Sequence, residues 1–153
     1  MKIKDIMTVD PKTCTPETSL ASAAHLMLEG DCGILPVVED GRIVGVVTDR
    51  DMYIALATRN KLASQISVGE LALKAVHTCE PEDDAQTALA TMKAHRVRRL
   101  PVVGFGDTVV GIVSMNDLLL AAGPRKAIRD AEVVNTLQAI CTHHHPAPHV
   151  VAA

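Results

Sequence analysis

The sequence predicts an α+β fold, a single module built from two β-α-β-β-α repeats, and three observations carry that prediction. Short motifs recur at a fixed spacing: Thr13-Cys14-Thr15-Pro16 returns as Thr78-Cys79-Glu80-Pro81, and Leu35-Pro36-Val37-Val38 returns as Leu100-Pro101-Val102-Val103, each 65 residues later. Within each copy, apolar patterns of helical period alternate with short runs rich in valine and isoleucine. Finally, 153 residues of which 48% are hydrophobic can close a core without a disulfide framework.

In the first repeat, Pro16 and Thr18 precede a helix whose apolar face holds Leu20, Ala23, Ala24, Met27 and Leu28; Ala85, Leu89 and Met92 occupy the same places in the second. The methionines are therefore read as core. The run from Ile34 to Val38, a turn at Glu39-Asp40-Gly41-Arg42 and the run from Ile43 to Val47 predict a β-hairpin of strands buried on both faces. Gly45-Val46-Val47-Thr48-Asp49-Arg50-Asp51 then returns as Gly111-Ile112-Val113-Ser114-Met115-Asn116-Asp117, now 66 residues on. One residue is thus inserted in the second hairpin loop, where insertions are tolerated. Helices follow at once from Thr48 and from Ser114.

The polar stretch 59–67 connects the halves but is too short to separate them. Neither repeat can cover its sheet alone, which predicts two repeats packed face to face about a pseudo-twofold axis. The expected division is 1–62 and 63–123 for the repeats, 124–142 for a C-terminal helix and 143–153 for a disordered, flexible tail. That helix is placed from about Arg125 to Cys141, with Ala127, Ile128, Ala131, Val134, Leu137 and Ile140 on its apolar side.

A formal charge of −3, a pI near 6.1 and only two aromatic residues, Tyr53 and Phe105, argue against nucleic acid as a partner. No apolar run approaches the roughly 18 residues of a membrane span, so the expected location is cytoplasmic. Cys14, Cys32, Cys79 and Cys141 form no Cys-x-x-Cys pair; reduced and mostly buried thiols are the expectation.

The two strand-to-helix junctions carry the chemistry. A hydroxyl at a helix start either caps the free amides or helps the helix dipole hold a phosphate. A carboxylate three residues later stands beside the same opening and can accept from ribose hydroxyls. Thr-x-x-Asp alone is an ordinary capping pattern, but two copies in one register, each straight after an apolar strand, favour a nucleotide.

The repeated order of Leu-Pro-Val-Val and then Gly-x-Val-(Thr or Ser)-x-x-Asp resembles the cystathionine β-synthase (CBS) domain family, whose tandem pairs are called Bateman modules. The resemblance covers about residues 3 to 122. It implies clefts between the repeats that bind adenosine compounds such as AMP, ADP, ATP or S-adenosylmethionine. One site would join Thr48, Arg50 and Asp51 to Val76, His77, Val97, Arg98 and Arg99. The other would join Ile112, Ser114, Asn116 and Asp117 to Lys12, Cys32, Gly33 and Ile34. The resemblance further implies homodimers packed as a flat disc, with ligand changing the angle between repeats and so signalling to a separate regulated protein.

Arg98 and Arg99 stand where the first repeat has Gly33 and Ile34, so the site shared with Asp51 is expected to favour the more phosphorylated ligand. The alternative for 95–99 is a solvated surface basic patch or ion pairs with glutamate and aspartate. Valine and isoleucine contacts would hold the adenine. No serine-hydrolase elbow, zinc-protease motif or P-loop is present, so no catalysis and no required cofactor are expected. Two other readings remain: metal binding by Cys141 with His143, His144, His145 and His149, and an interaction scaffold that binds no ligand. Cys14 and Cys79, at matched positions, are read as core rather than redox-active.

Overall fold

A computed structural model describes residues 1–71, 75–124 and 126–142. The elements in order are β1 (Thr8–Val9), α1 (Leu20–Glu29), β2 (Ile34–Glu39), β3 (Arg42–Thr48), α2 (Asp49–Arg59), α3 (Ala85–His95), β4 (Arg99–Val103), β5 (Val109–Ser114), α4 (Met115–Ala121) and α5 (Asp130–Cys141). The expected tail at 143–153, with His143, His144, His145 and His149, lies outside the described residues.

The fold is the α+β pair of repeats that the sequence predicts. β2 and β3 form one antiparallel hairpin, and β1, β5 and β4 form a three-stranded sheet in that order. The two hairpins bulge at equivalent places, between Val37 and Val38 and between Val102 and Val103. The leading strand of each repeat is short. Cys14 and Cys79 make only single bridges, to Val37 and Val102, and β1 pairs with β5 of the other repeat through Thr8 and Val9. Gly111 permits that approach, since a Cβ there would lie 2.6 Å from the Met7 sulfur and 3.0 Å from Thr8 O.

Each core is closed by a turn from outside its own hairpin. In the first, Leu20 N–H donates to Ile66 O (2.9 Å), Val68 N–H to Thr18 O (2.8 Å) and Gly69 N–H to Pro16 O (2.8 Å). In the second, Ala85 N–H donates to Met1 O (3.1 Å), Ile3 N–H to Asp83 O (3.0 Å) and Lys4 N–H to Pro81 O (3.0 Å). These three bonds are the same bonds shifted by 65 residues. The end of the polar connector 59–67 and the residues just after it deliver Ile66, Val68 and Leu71 into the core of Leu20, Leu35 and Val37. The N-terminal segment delivers Ile3 into the core of Leu89, Met92, Leu100 and Leu118.

Several local expectations change. β2 and β4 are buried on both faces, but β3 and β5 alternate between buried and partly open residues, because one side of each borders a cleft. On α1, Leu20, Ala23 and Met27 are buried, whereas Ala24 and Leu28 face an open groove toward Met52, Tyr53 and Leu56 of α2. α5 starts at Asp130, later than the predicted Arg125; Arg125 itself lies outside the described residues. Ile128 is fully buried ahead of the helix, and Arg129 is extended, its N–H donating to Glu132 Oε2 (2.9 Å). Ile128 and Val133 take the positions of a hydrophobic staple. The buried face of α5 is then Val133, Thr136, Leu137 and Ile140, with Ala131 and Val134 turned outward. Ala127 is exposed too.

All four cysteines are free, but only Cys14 and Cys79 are buried; Cys32 is half-buried and Cys141 exposed. Burial pushes the Cys14 thiol up to about 11, and burial with the nearby Asp83 pushes Cys79 up to about 12. Both therefore stay protonated and packed, as core residues do.

Ile3, the third residue, is fully buried. Ile3→Ala is expected to lower the free energy of urea unfolding by about 2–5 kcal/mol. Phe105→Ala, at a fully exposed loop position, should leave the midpoint unchanged; equal midpoints for both variants would show that the N-terminal turn closes no core.

Candidate functional site

Each junction is held by the strand before it and the helix after it. Val47 and Met52 flank the first, Val113 and Leu118 the second, all at staple positions and all buried. Between them Thr48 and Ser114 adopt extended backbone and cap α2 and α4. Thr48 Oγ1 donates to Asp51 Oδ2 (2.7 Å) and accepts from Asp51 N–H (3.2 Å), while Asp51 Oδ2 also accepts from Thr48 N–H (3.2 Å). Ser114 and Asp117 repeat this with 2.7, 3.3 and 2.7 Å. The capping pattern is thus fully formed at both junctions. A carboxylate offers roughly four lone-pair positions, and capping uses two of them at each junction.

Beside the first junction lies a cleft of about 770 Å³, lined from both repeats. All eight residues assigned to that site by resemblance line it: Thr48, Arg50, Asp51, Val76, His77, Val97, Arg98 and Arg99. Gly33, Ile34, Val46, Asp49, Ala75, His95, Arg96 and Pro101 complete its walls, and Ile140 and Cys141 at the end of α5 close one side. Arg50, Arg96, Arg98 and Arg99 face Asp49 and Asp51, a surplus of positive charge. Among the described residues Arg50, Arg98 and Arg99 form no ion pair with a carboxylate. Arg98 Nη2 instead lies 3.6 Å from Cys141 Sγ.

The second cleft is smaller, about 250 Å³, and takes Lys12, Cys32, Ile34, Ile112, Ser114, Asn116 and Asp117 with Thr8, Pro11, Gly30, Asp31 and Arg99. Gly33, which the sequence reading assigned here, lines the first cleft instead. A Cβ on Gly33 would stand 2.8 Å from Asp49 Oδ2, so the backbone passes directly against the first junction. Lys12 and Arg99 balance Asp31 and Asp117, and Lys12 Nζ is already paired with Glu29 (3.2 Å).

His77 and His95 stack in the first cleft with ring centroids 3.6 Å apart and 14° between planes. The basic run 95–99 is plain in the sequence, but nothing local in it brings His95 onto His77. Ile140 and Cys141 reach the cleft only because α5 packs on α3 and α4, a contact no sequence spacing encodes. Among the described residues no group of three or more histidine, cysteine or acidic side chains could hold a metal ion, and no helix is long and apolar enough to cross a membrane.

The CBS domain model matches residues 3–58 and 68–123. A CBS domain-containing protein of Bacillus subtilis, YhcV, is 34% identical over 116 residues, 76% of this chain and 81% of that protein. The crystal structure of Hypoxic Response Protein I with two coordinated zinc ions is 31% identical, with a TM-score of 0.70 over 78% of this chain and 98% of the other. The CBS domain pair of protein MJ0100, solved with 5'-methylthioadenosine and S-adenosyl-L-methionine, is 28% identical, with a TM-score of 0.69 over 77% and 92%.

Burial, and then the charge of His95, hold the His77 imidazole below its ordinary 6.5. With a depressed native pKa the unfolded chain binds this proton more readily, so stability is full above 6.5 and declines as pH falls toward the native value. Wild-type protein should therefore lose more unfolding free energy between about pH 7.5 and about pH 5 than His77→Gln does. Parallel pH profiles would remove His77 from the account.

Proposed function

The chain belongs to the CBS domain family, and we propose that its pair of domains is a regulatory module that takes an adenosine nucleotide in the cleft beside Asp51. The observation that carries this reading is the convergence of Thr48, Arg50 and Asp51 from one repeat with Val76, His77, Val97, Arg98 and Arg99 from the other around one cationic cleft. Val46, Val76 and Val97 offer apolar walls for the base. Asp51 accepts the ribose hydroxyls while keeping its bonds to Thr48. Arg50, Arg98 and Arg99 take the phosphates, and guanidinium forks favour the longer chain, so ATP and ADP bind better than AMP or S-adenosylmethionine.

The adenosyl compounds held by the MJ0100 pair support the class of ligand. Occupancy is transmitted because Ile140 and Cys141 wall the cleft: a ligand that fits one angle between the repeats better than another shifts the population, and α5 moves with it. The output reaches a separate protein, in the cytoplasm, without catalysis or a resident cofactor. Exposed Leu28, Tyr53, Leu56, Leu119 and Leu120 support the association of two such chains into a homodimer. A second reading, zinc binding by Cys141 with His143, His144 and His145, is favoured by the two zinc ions of Hypoxic Response Protein I.

One thermal-unfolding series separates these readings. A ligand present at about 100 times its Kd should raise the midpoint by roughly 5–10 °C, with ATP above AMP, and the double variant Asp51→Ala, Asp117→Ala should lose that rise. Its midpoint without ligand also drops because both caps are lost, so the ligand-induced difference is the readout. Homodimerisation makes the midpoint depend on protein concentration. A rise with zinc alone supports the metal reading; no rise with any adenosine compound at millimolar concentration refutes nucleotide binding and leaves the scaffold.

A further inference from the structure

Arg99 lines both clefts, and so does Ile34, its counterpart 65 residues earlier. These are the first residues of β4 and β2, and they form the saddle between the two openings. The aliphatic member is buried, whereas the arginine is only half-buried. Among the described residues Arg99 has no carboxylate partner. A single cation therefore stands between two candidate anion sites.

Those sites depend on it unequally. Without Arg99 the first cleft still has Arg50, Arg96 and Arg98 against Asp49 and Asp51. The second has only Lys12, itself tied to Glu29, against Asp31 and Asp117. Its balance of charge turns negative once the guanidinium points elsewhere. One planar fork grips one phosphate group in two-point fashion and cannot grip two in opposite openings.

Resting on the nucleotide reading above, we infer that Arg99 couples the clefts negatively: a phosphorylated ligand in the first draws the guanidinium away and weakens binding in the second. By linkage, a ligand in the second weakens the first by the same factor. The fully loaded state is then reached only at ligand concentrations well above those that fill the first cleft, which widens the concentration range over which the module responds.

Calorimetric titration with ATP tests this in four chains: wild type, Asp51→Ala to disable the first cleft, Arg99→Met, and Asp51→Ala with Arg99→Met. The second binding step of wild type should be at least about 5-fold weaker than the single step of Asp51→Ala. The corresponding steps of the two chains lacking Arg99 should agree. A difference that persists without Arg99, or none in wild type, overturns the coupling while leaving nucleotide binding intact. One bound ATP in wild type and none in Asp51→Ala overturns it as well. No ATP binding to wild type overturns the nucleotide reading and this inference with it. Should Arg99→Met fail to melt cooperatively, Arg99→Gln removes the same charge at the same position.

Discussion

The structure depends on a reciprocal closure. Each hairpin-and-helix core is completed by a turn from outside its own hairpin, residues 1–6 for the second and 66–71 for the first, through backbone hydrogen bonds that repeat at a 65-residue shift. Ile3 and Val68, both fully buried, are the equivalent plugs. Neither core can shed its turn without exposing apolar surface and orphaning backbone amides. The chain that leaves one core therefore enters the other at a set place, and the clefts between the repeats have walls of defined position.

Within that frame the two clefts differ by few substitutions. At equivalent positions of the repeats Arg98 stands for Gly33, which also borders the first cleft, and Asp49 and Arg50 stand for Met115 and Asn116, while Arg99 and its counterpart Ile34 border both clefts. The capping boxes are the same at both junctions, so capping geometry does not distinguish the sites; cleft size and charge do. The first cleft is three times as large and carries the arginine excess, while the second is balanced and its lysine already has a carboxylate partner. The duplicated fold supplies two openings, and side-chain charge makes them unequal.

Much of this was legible in the sequence because it is local or repeated. Apolar spacing placed Leu20, Ala23 and Met27 inside, and the duplicated junction marked Thr48 with Asp51 and Ser114 with Asp117. What escaped depends on contacts between distant segments. The stretch 59–67 reads as a polar connector, yet Ile66 within it and Val68 just after it alternate into a core. Ala24 and Leu28 satisfy helical period, but α1 meets the sheet along a narrower stripe and leaves them to the open groove. Gly33 belongs with the first cleft because its backbone lies against Asp49, and the stacking of His95 on His77 needs α3 to end where the chain passes at 75–78.

The most direct test of nucleotide recognition is a crystal structure of the protein grown with ATP. Electron density is expected in the cleft beside Asp51, with the ribose hydroxyls within hydrogen-bond reach of that carboxylate and phosphate oxygens on Arg50, Arg98 or Arg99. An empty cleft at saturating ATP, or the nucleotide bound elsewhere with those arginines untouched, would contradict it.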